Sequence, residues 1–158
     1  MVREEQLCGF LVILTLRLLW HPSTGCILGV GLVLSLMSHS SQMESRVHVA
    51  ASLRKLSAYL DDSGSQSRTF QEVLAYTLSC ICTSAFSAGI IEAAEAEDIM
   101  NKLRLLVENN QQTSGFALAL GNIVHGLSVC GHGKAEDLGS RLLPAWIKIV
   151  LAQWLHSN

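Results

Sequence analysis

Between Glu108 and Lys134 the chain carries no Asp, Glu, Lys or Arg, and its apolar positions fall into helical stripes. Phe116, Leu120, Ile123 and Leu127 recur at i, i+4, i+7 and i+11, the spacing of one helix face. Gly115, Ala119, Asn122 and Gly126 recur at the same spacing on a neighbouring stripe. Large side chains beside a stripe of almost none describe a helix made to lie close to other helices. The pattern predicts a helix that starts at Ser114, is buried on several sides, and ends at the glycines 131 and 133.

The same reading extends along the chain. Residues 7–20, LCGFLVILTLRLLW, are apolar but for Arg17. A membrane span needs about 20 such residues, and a signal peptide wants a basic start, which Glu4 and Glu5 offset here. A buried helix with Arg17 reaching out at its end fits the length better. Pro22 punctuates the chain, and a second helix is predicted over 23–38. Its Gly25 and Gly29 form a small-xxx-small pair, which predicts a close neighbour there. After a turn, Val49, Leu53, Leu56 and Leu60 line one face of a helix over 43–60, with Arg46, Arg54 and Lys55 off it as a solvated basic face. DDSGSQSR, residues 61–68, reads as a loop. Thr69 and Glu72 predict a capping box for a helix carrying Phe70, Val73, Leu74, Leu78 and Ile81 and ending near Gly89. Residues 92–108 form an amphipathic helix with Ile99, Leu103 and Leu106 inward and an acid-rich first turn, favourable to the helix dipole. A last helical stretch begins at 135, Pro144 bends or restarts it, and Trp146, Val150, Leu151 and Trp154 continue its apolar face.

Composition sharpens this picture. The 158 residues are 49% hydrophobic and 15% charged, against about 25% charged in an average domain, so more helix surface is covered than usual. A net charge of −2 gives no electrostatic case for direct nucleic-acid binding. No alternating β-branched run between turn signals predicts a strand. Five cysteines scattered through apolar runs read as small hydrophobes in a reducing compartment, not a disulfide framework.

Helices joined by short loops, alternately amphipathic and nearly uncharged, invite a search for repeats. Gly25, Leu28 and Gly31 line up with Gly115, Leu118 and Gly121, and Ala75 and Leu78 fit between them. The steps are 50 and 40 residues, averaging 45, within the roughly 40–47 residues of a HEAT or armadillo unit. The expected fold class is therefore all-α: an α-solenoid of HEAT- or armadillo-like helical pairs, about three to three and a half units long. Residues 7–152 form the single repeat region, with 1–6 and 153–158 as non-repeat ends.

Candidate chemistry is thin. His125, Cys130 and His132 give H-x4-C-x-H, but zinc wants four ligands, and the nearest additional pair, Cys80 and Cys82, lies elsewhere. Cys130, His125 and Asp137 make a hydrolase triad only on paper, without a nucleophile motif around the cysteine. Neither glycine-rich stretch follows a strand or carries the Gly-Lys-Ser/Thr of a phosphate loop. Gly25 and Cys26 do not complete a lipoprotein site, because Ser23 stands where an aliphatic residue is expected. No residue is assigned a catalytic, cofactor-binding or metal-binding role.

Three segments carry a resemblance: LRLLWHPSTGCILGVGLVLSLMSHS, FQEVLAYTLSCICTSAFSAGIIEAAEAEDIMNKLRLLVENN and GFALALGNIVHGLSVCGHGKAEDLGSRLLPAWIKIVLA. Together they resemble an internal region of the focadhesins, very long animal proteins with armadillo-like helical repeats. The resemblance implies a non-enzymatic, cytoplasmic scaffold that binds protein partners. Those it implies are a focal-adhesion component such as vinculin and a cytosolic helicase complex serving RNA decay. The matching motifs are packing motifs, so no catalytic residue comes with them. MVREEQ and QWLHSN look unlike repeat boundaries and point to a truncated or alternatively spliced product. With both ends cut from a longer array, apolar faces are expected at the first and last helices, with aggregation or chaperone association. The alternative is a small membrane-anchored protein inserted through Leu7 to Met37.

Overall fold

A computed structural model describes residues 24–109 and 114–156, with side chains from 24 to 109 and 115 to 144. The helix expected over 7–20 and the apolar face of Trp146, Val150, Leu151 and Trp154 lie outside what is described. Among the described residues there are six α-helices and no strand. They are α1 (Thr24–Met37), α2 (Met43–Asp62), α3 (Arg68–Ser87), α4 (Ala93–Asn109), α5 (Ser114–Val129) and α6 (Gly133–His156). The fold is all-α.

Helices α1, α3 and α5 lie side by side in one row, with the most extensive contacts between α3 and its two neighbours. Helix α2 packs on α1 and α3, α4 on α3 and α5, and α6 on α5. The expected inward stripes are buried at Val49, Leu53, Leu56 and Leu60 on α2, Ile99 and Leu103 on α4, and Phe116, Leu120, Ile123 and Leu127 on α5, while Leu106 of α4 is only partly buried against the core. One continuous core results, its ceiling made by uncharged helices and its floor by the apolar stripes of charged ones.

The helix ends show where local chemistry overrode the expected pattern. Helix α3 is capped by Ser67, whose hydroxyl accepts the Phe70 N–H, so Thr69 lies inside the first turn and makes no capping box. Asp61 and Asp62 still belong to α2, and Ser63–Ser65 form a 3-10 turn. Gln71 holds this connection, donating from Nε2 to the carbonyls of Ser63 at 3.0 Å and Gln66 at 2.9 Å. Helices α3 and α5 end alike. Gly89 (φ 65°) and Gly131 (φ 84°) adopt the left-handed conformation. The next N–H, of Ile90 or His132, returns to the carbonyl of Ala85 or Leu127. Helix α6 runs unbroken from Gly133 to His156 with Pro144 inside it.

Burial aligns α1, α3 and α5 differently from residue type. Leu78 is fully buried, whereas Leu28 and Leu118, aligned with it by sequence, are 45% and 62% exposed. The buried positions Leu74, Leu78, Ile81 and Ala85 of α3 correspond to Phe116, Leu120, Ile123 and Leu127 of α5, a step of 42 residues that also superposes the two glycine caps. Ile27, Val30 and Leu34 of α1 correspond to Leu78, Ile81 and Ala85, a step of 51. Each residue of displacement turns a helix face by about 100°. Steps of 50 and 40 therefore matched residue types while rotating the faces.

No helix among the described residues is long and apolar enough to cross a membrane. Helix α1, the described part of the Leu7 to Met37 alternative, has 14 residues, about 21 Å of helix against a hydrocarbon core of about 30 Å.

Candidate functional site

The uncharged row holds together by close approach. A Cβ on Gly126 would fall inside contact distance of Thr83, and one on Gly115 would lie 2.6 Å from Cβ of Glu72. Ala119, between them, is fully buried. Asn122 donates from Nδ2 to Ser79 Oγ at 2.9 Å and to Cys80 Sγ at 3.4 Å. The small-residue stripe of α5 is thus its seam with α3. On α1 the seam is Gly31, whose absent Cβ would sit 2.5 Å from Thr77 Cγ2. Among the described residues Gly25 and Gly29 meet nothing within 4 Å, so the small-xxx-small pair makes no close contact with α2 or α3.

Helices α2, α4 and α6 are tied by long polar side chains. Arg46 donates to the carbonyls of Ala88 at 2.8 Å and Gly89 at 3.1 Å, satisfying the end of α3. Arg54 makes a two-point ion pair with Glu95, at 2.8 and 3.0 Å. That hydrogen bond, more than the accompanying charge attraction, raises the Arg54 pKa above its ordinary value. Lys102 reaches Asp61 Oδ2 at 2.7 Å and the hydroxyl of Ser57 at 2.7 Å, and Lys134 pairs with Glu97 at 2.7 Å. Of the expected basic face, Arg46 and Arg54 are therefore staples between helices. These exposed pairs contribute roughly 0–1 kcal/mol each and orient more than they stabilise.

Helices α1 and α5 contain no charged residue, and α3 has only Arg68 and Glu72, both in its first two turns. Across the free side of this row runs a groove of about 410 Å³. Leu28, Leu32 and Ser35 enter it from α1, Tyr76, Thr77 and Cys80 from α3, and Asn122 from α5. Thr77 is 1% exposed, and its hydroxyl, like that of Ser35, has no hydrogen-bond partner among the described residues. The Tyr76 hydroxyl is held above its ordinary pKa, first by charge interaction with Cys80 and then by burial.

The residues weighed for metal or hydrolase chemistry are separated. His132 is buried at the start of α6: Nδ1 accepts the Ala135 N–H at 3.3 Å and Nε2 donates to the Ala93 carbonyl at 3.2 Å. Its ring also meets Phe86 edge to face at 5.5 Å. Both nitrogens are thereby engaged in joining α6 to α4. His125 instead lines a cleft of about 350 Å³ between α5 and α6, with Gly121 and Glu136. Asp137 lines a different depression, with Glu97, Arg104 and Lys134. Cys130 is exposed. Among the described residues no group of three or more His, Cys, Asp or Glu is placed to hold a metal ion. Cys82 is fully buried, and desolvation, with a smaller push from the Glu95 charge, raises its thiol to about 12.

The groove was not singled out from sequence. Its signal is the spacing of Tyr76, Cys80 and Thr83 on α3, polar residues at i, i+4 and i+7 opposite the buried stripe.

Comparison with known proteins adds the lineage. The sequence model of the focadhesin family matches residues 100–156. Focadhesin of Homo sapiens is 90% identical over 131 residues, and that of Mus musculus 86% identical over 131. The Danio rerio protein is 60% identical over 132 residues. Each match covers 83% of this chain and 7% of the relative, so the chain spans a small part of the length of the curated relatives it matches. No solved structure matches.

Proposed function

The chain belongs to the focadhesin family, and on that premise we propose that it is a segment of a non-catalytic α-solenoid, a scaffold for protein–protein interaction. The repeated burial pattern carries the reading. Equivalent buried positions return along α1, α3 and α5 at steps averaging 46 to 47 residues, and each helix of the row packs mainly on its immediate neighbours. That nearest-neighbour arrangement is how HEAT and armadillo units stack. The repeat region extends over 7–152 in this reading. Its partners are a vinculin-like adhesion component and a cytosolic helicase complex of RNA decay, and its place is the cytoplasm and focal adhesions.

Affinity capture from cultured cells, comparing the tagged chain with tagged full-length focadhesin, tests the partners. Recovery of vinculin or of the helicase complex by both is the expected result. Recovery by the longer protein alone removes the partner contact from this segment. Small-angle scattering of a longer piece containing this stretch tests the architecture: an elongated particle is expected, and a spherical one overturns the solenoid.

A further inference from the structure

We propose that the depression between α4 and α6 is a seat for a phosphate group, held between the guanidinium groups of Arg104 and Arg141. Such a seat lies outside the scaffold reading, and the two gaps that α4 borders reveal it. Burial sets the equivalence between them. Leu56 and Leu60 of α2 correspond to Ile99 and Leu103 of α4 at a step of 43 residues. Ala96 and Ile99 of α4 correspond to Ala135 and Leu138 of α6 at a step of 39. Two ion pairs bridge the gap between α2 and α4: Arg54 with Glu95, and Asp61 with Lys102. The same steps carry the first pair onto Glu97 and Lys134, which are joined at 2.7 Å with the signs exchanged. They carry the second pair onto Arg104 and Arg141, two cations where the other gap has a cation and a carboxylate.

Arg104 and Arg141 line one depression of about 190 Å³ with Glu97, Asn101, Lys134 and Asp137. Arg104 stands 3.7 Å from Glu108, beyond hydrogen-bond length, and its side chain is 42% exposed. Arg141 spends Nε on the Asp137 carbonyl at 3.3 Å, and among the described residues its Nη groups have no partner. Lys134 and Glu97 neutralise each other, so the two arginines face only the Asp137 carboxylate, and one positive charge is left in excess along the lining. Two planar guanidinium forks offer more N–H donors than the two oxygens of one carboxylate accept well. A phosphate monoester brings three terminal oxygens and a charge of about −1.5 to −2 at pH 7, which suits both forks. Free phosphate and a phosphorylated side chain of a partner present the same group to the seat.

The test uses the whole 158-residue chain, labelled with ¹⁵N, at fixed pH and ionic strength. The probes are inorganic phosphate and a capped Ala-Ala-Xaa-Ala-Ala peptide with phosphoserine, glutamate or serine at its centre. Saturable shifts of the Arg104 and Arg141 Nε–H signals are expected with phosphate or the phosphoserine peptide. Binding should be roughly fivefold weaker with the glutamate peptide and absent with the serine one. Tighter binding of the phosphoserine peptide than of phosphate identifies a partner chain as the source, and equal or weaker binding identifies the free ion; either result supports the seat. Arg104→Asp, which restores the arrangement of Asp61 and Lys102, should abolish the shift at Arg141 while keeping or raising the melting temperature. Arg141→Gln should weaken binding about tenfold, read at Arg104. Lys102→Gln, in the other gap, should leave binding unchanged. The proposal is overturned by the lack of a saturable shift, by undiminished binding in both arginine variants, or by an equal loss in Lys102→Gln. A glutamate peptide that binds as tightly as the phosphoserine one overturns phosphate as the ligand.

Discussion

Cys80 and Cys82 stand two positions apart on α3 and meet opposite surroundings. Cys80 borders the groove beside Asn122, whereas Cys82 is fully buried with its thiol held at about 12 against an ordinary 9.0. Below pH 9 both folded and unfolded chains keep the Cys82 proton, and the residue adds no pH dependence. Between 9 and about 12 the unfolded thiol ionises while the folded one does not. Stability is then expected to fall with rising pH, by at most about 1.4 kcal/mol per unit from this group. Urea unfolding at pH 8, 9.5 and 10.5, compared with Cys82→Ala, checks this: the variant should lose that part of the slope, and identical slopes would mean an accessible thiol. His132 shows the limit of residue-level reading. Its type and spacing fit a ligand, yet both ring nitrogens serve backbone groups. Nothing near it in sequence announces Ala93, which comes from 39 residues earlier.

At the scale of helices, glycines with the same sequence signal have opposite meanings. Among the described residues Gly29 meets nothing within 4 Å and Gly126 abuts Thr83. Thr83 is stiff at χ1, and its hydroxyl is committed to the Ser79 carbonyl at 2.9 Å. Gly29→Ala is expected to stabilise by about 0.5–1 kcal/mol, the gain in helix propensity. Gly126→Ala should destabilise by about 1–2 kcal/mol, because overpacking outweighs that gain. Thermal melts of the two variants check the pair, and equal effects would displace the α3–α5 seam. The described helices themselves were legible: three inward stripes, on α2, α4 and α5, were readable from period alone, and boundaries moved by only one or two residues. The α3 cap was misread because Ser67 and Thr69 offer similar hydroxyls, and only the path of the chain into the helix selects Ser67.

The whole molecule presents large apolar side chains on its uncharged row. Leu36 on α1 is 66% exposed and Leu118 on α5 62%. Exposed apolar side chains of this size add to the surface on which copies can associate. Replacing both by Gln is expected to lower dye binding to exposed apolar surface and to reduce self-association in size-exclusion chromatography. The melting temperature should shift by no more than about 2 °C, as for surface positions. A fall above about 10 °C would show that these leucines are packed. The division of labour between rows was partly legible, since charge is absent from 114–131 and concentrated in 92–108. Which charges would pair was not. Arg54 and Glu95 lie 41 residues apart, and their meeting depends on how α2 and α4 are set across α3.

By itself the sequence determined the helical class, most helix boundaries, the inward stripes and the family, because these depend on local period, caps and residue types. The closeness of the uncharged helices was also written there, in the stripe of Gly115, Ala119, Asn122 and Gly126. Only the tertiary structure decided which positions of α1, α3 and α5 are buried together, the partners of Arg46, Arg54 and Lys134, the role of His132, and the groove across α1, α3 and α5. The physical reason is rotational. One residue of displacement turns a helix face by about 100°, so matching residue types cannot choose the face, whereas burial against a particular neighbour does.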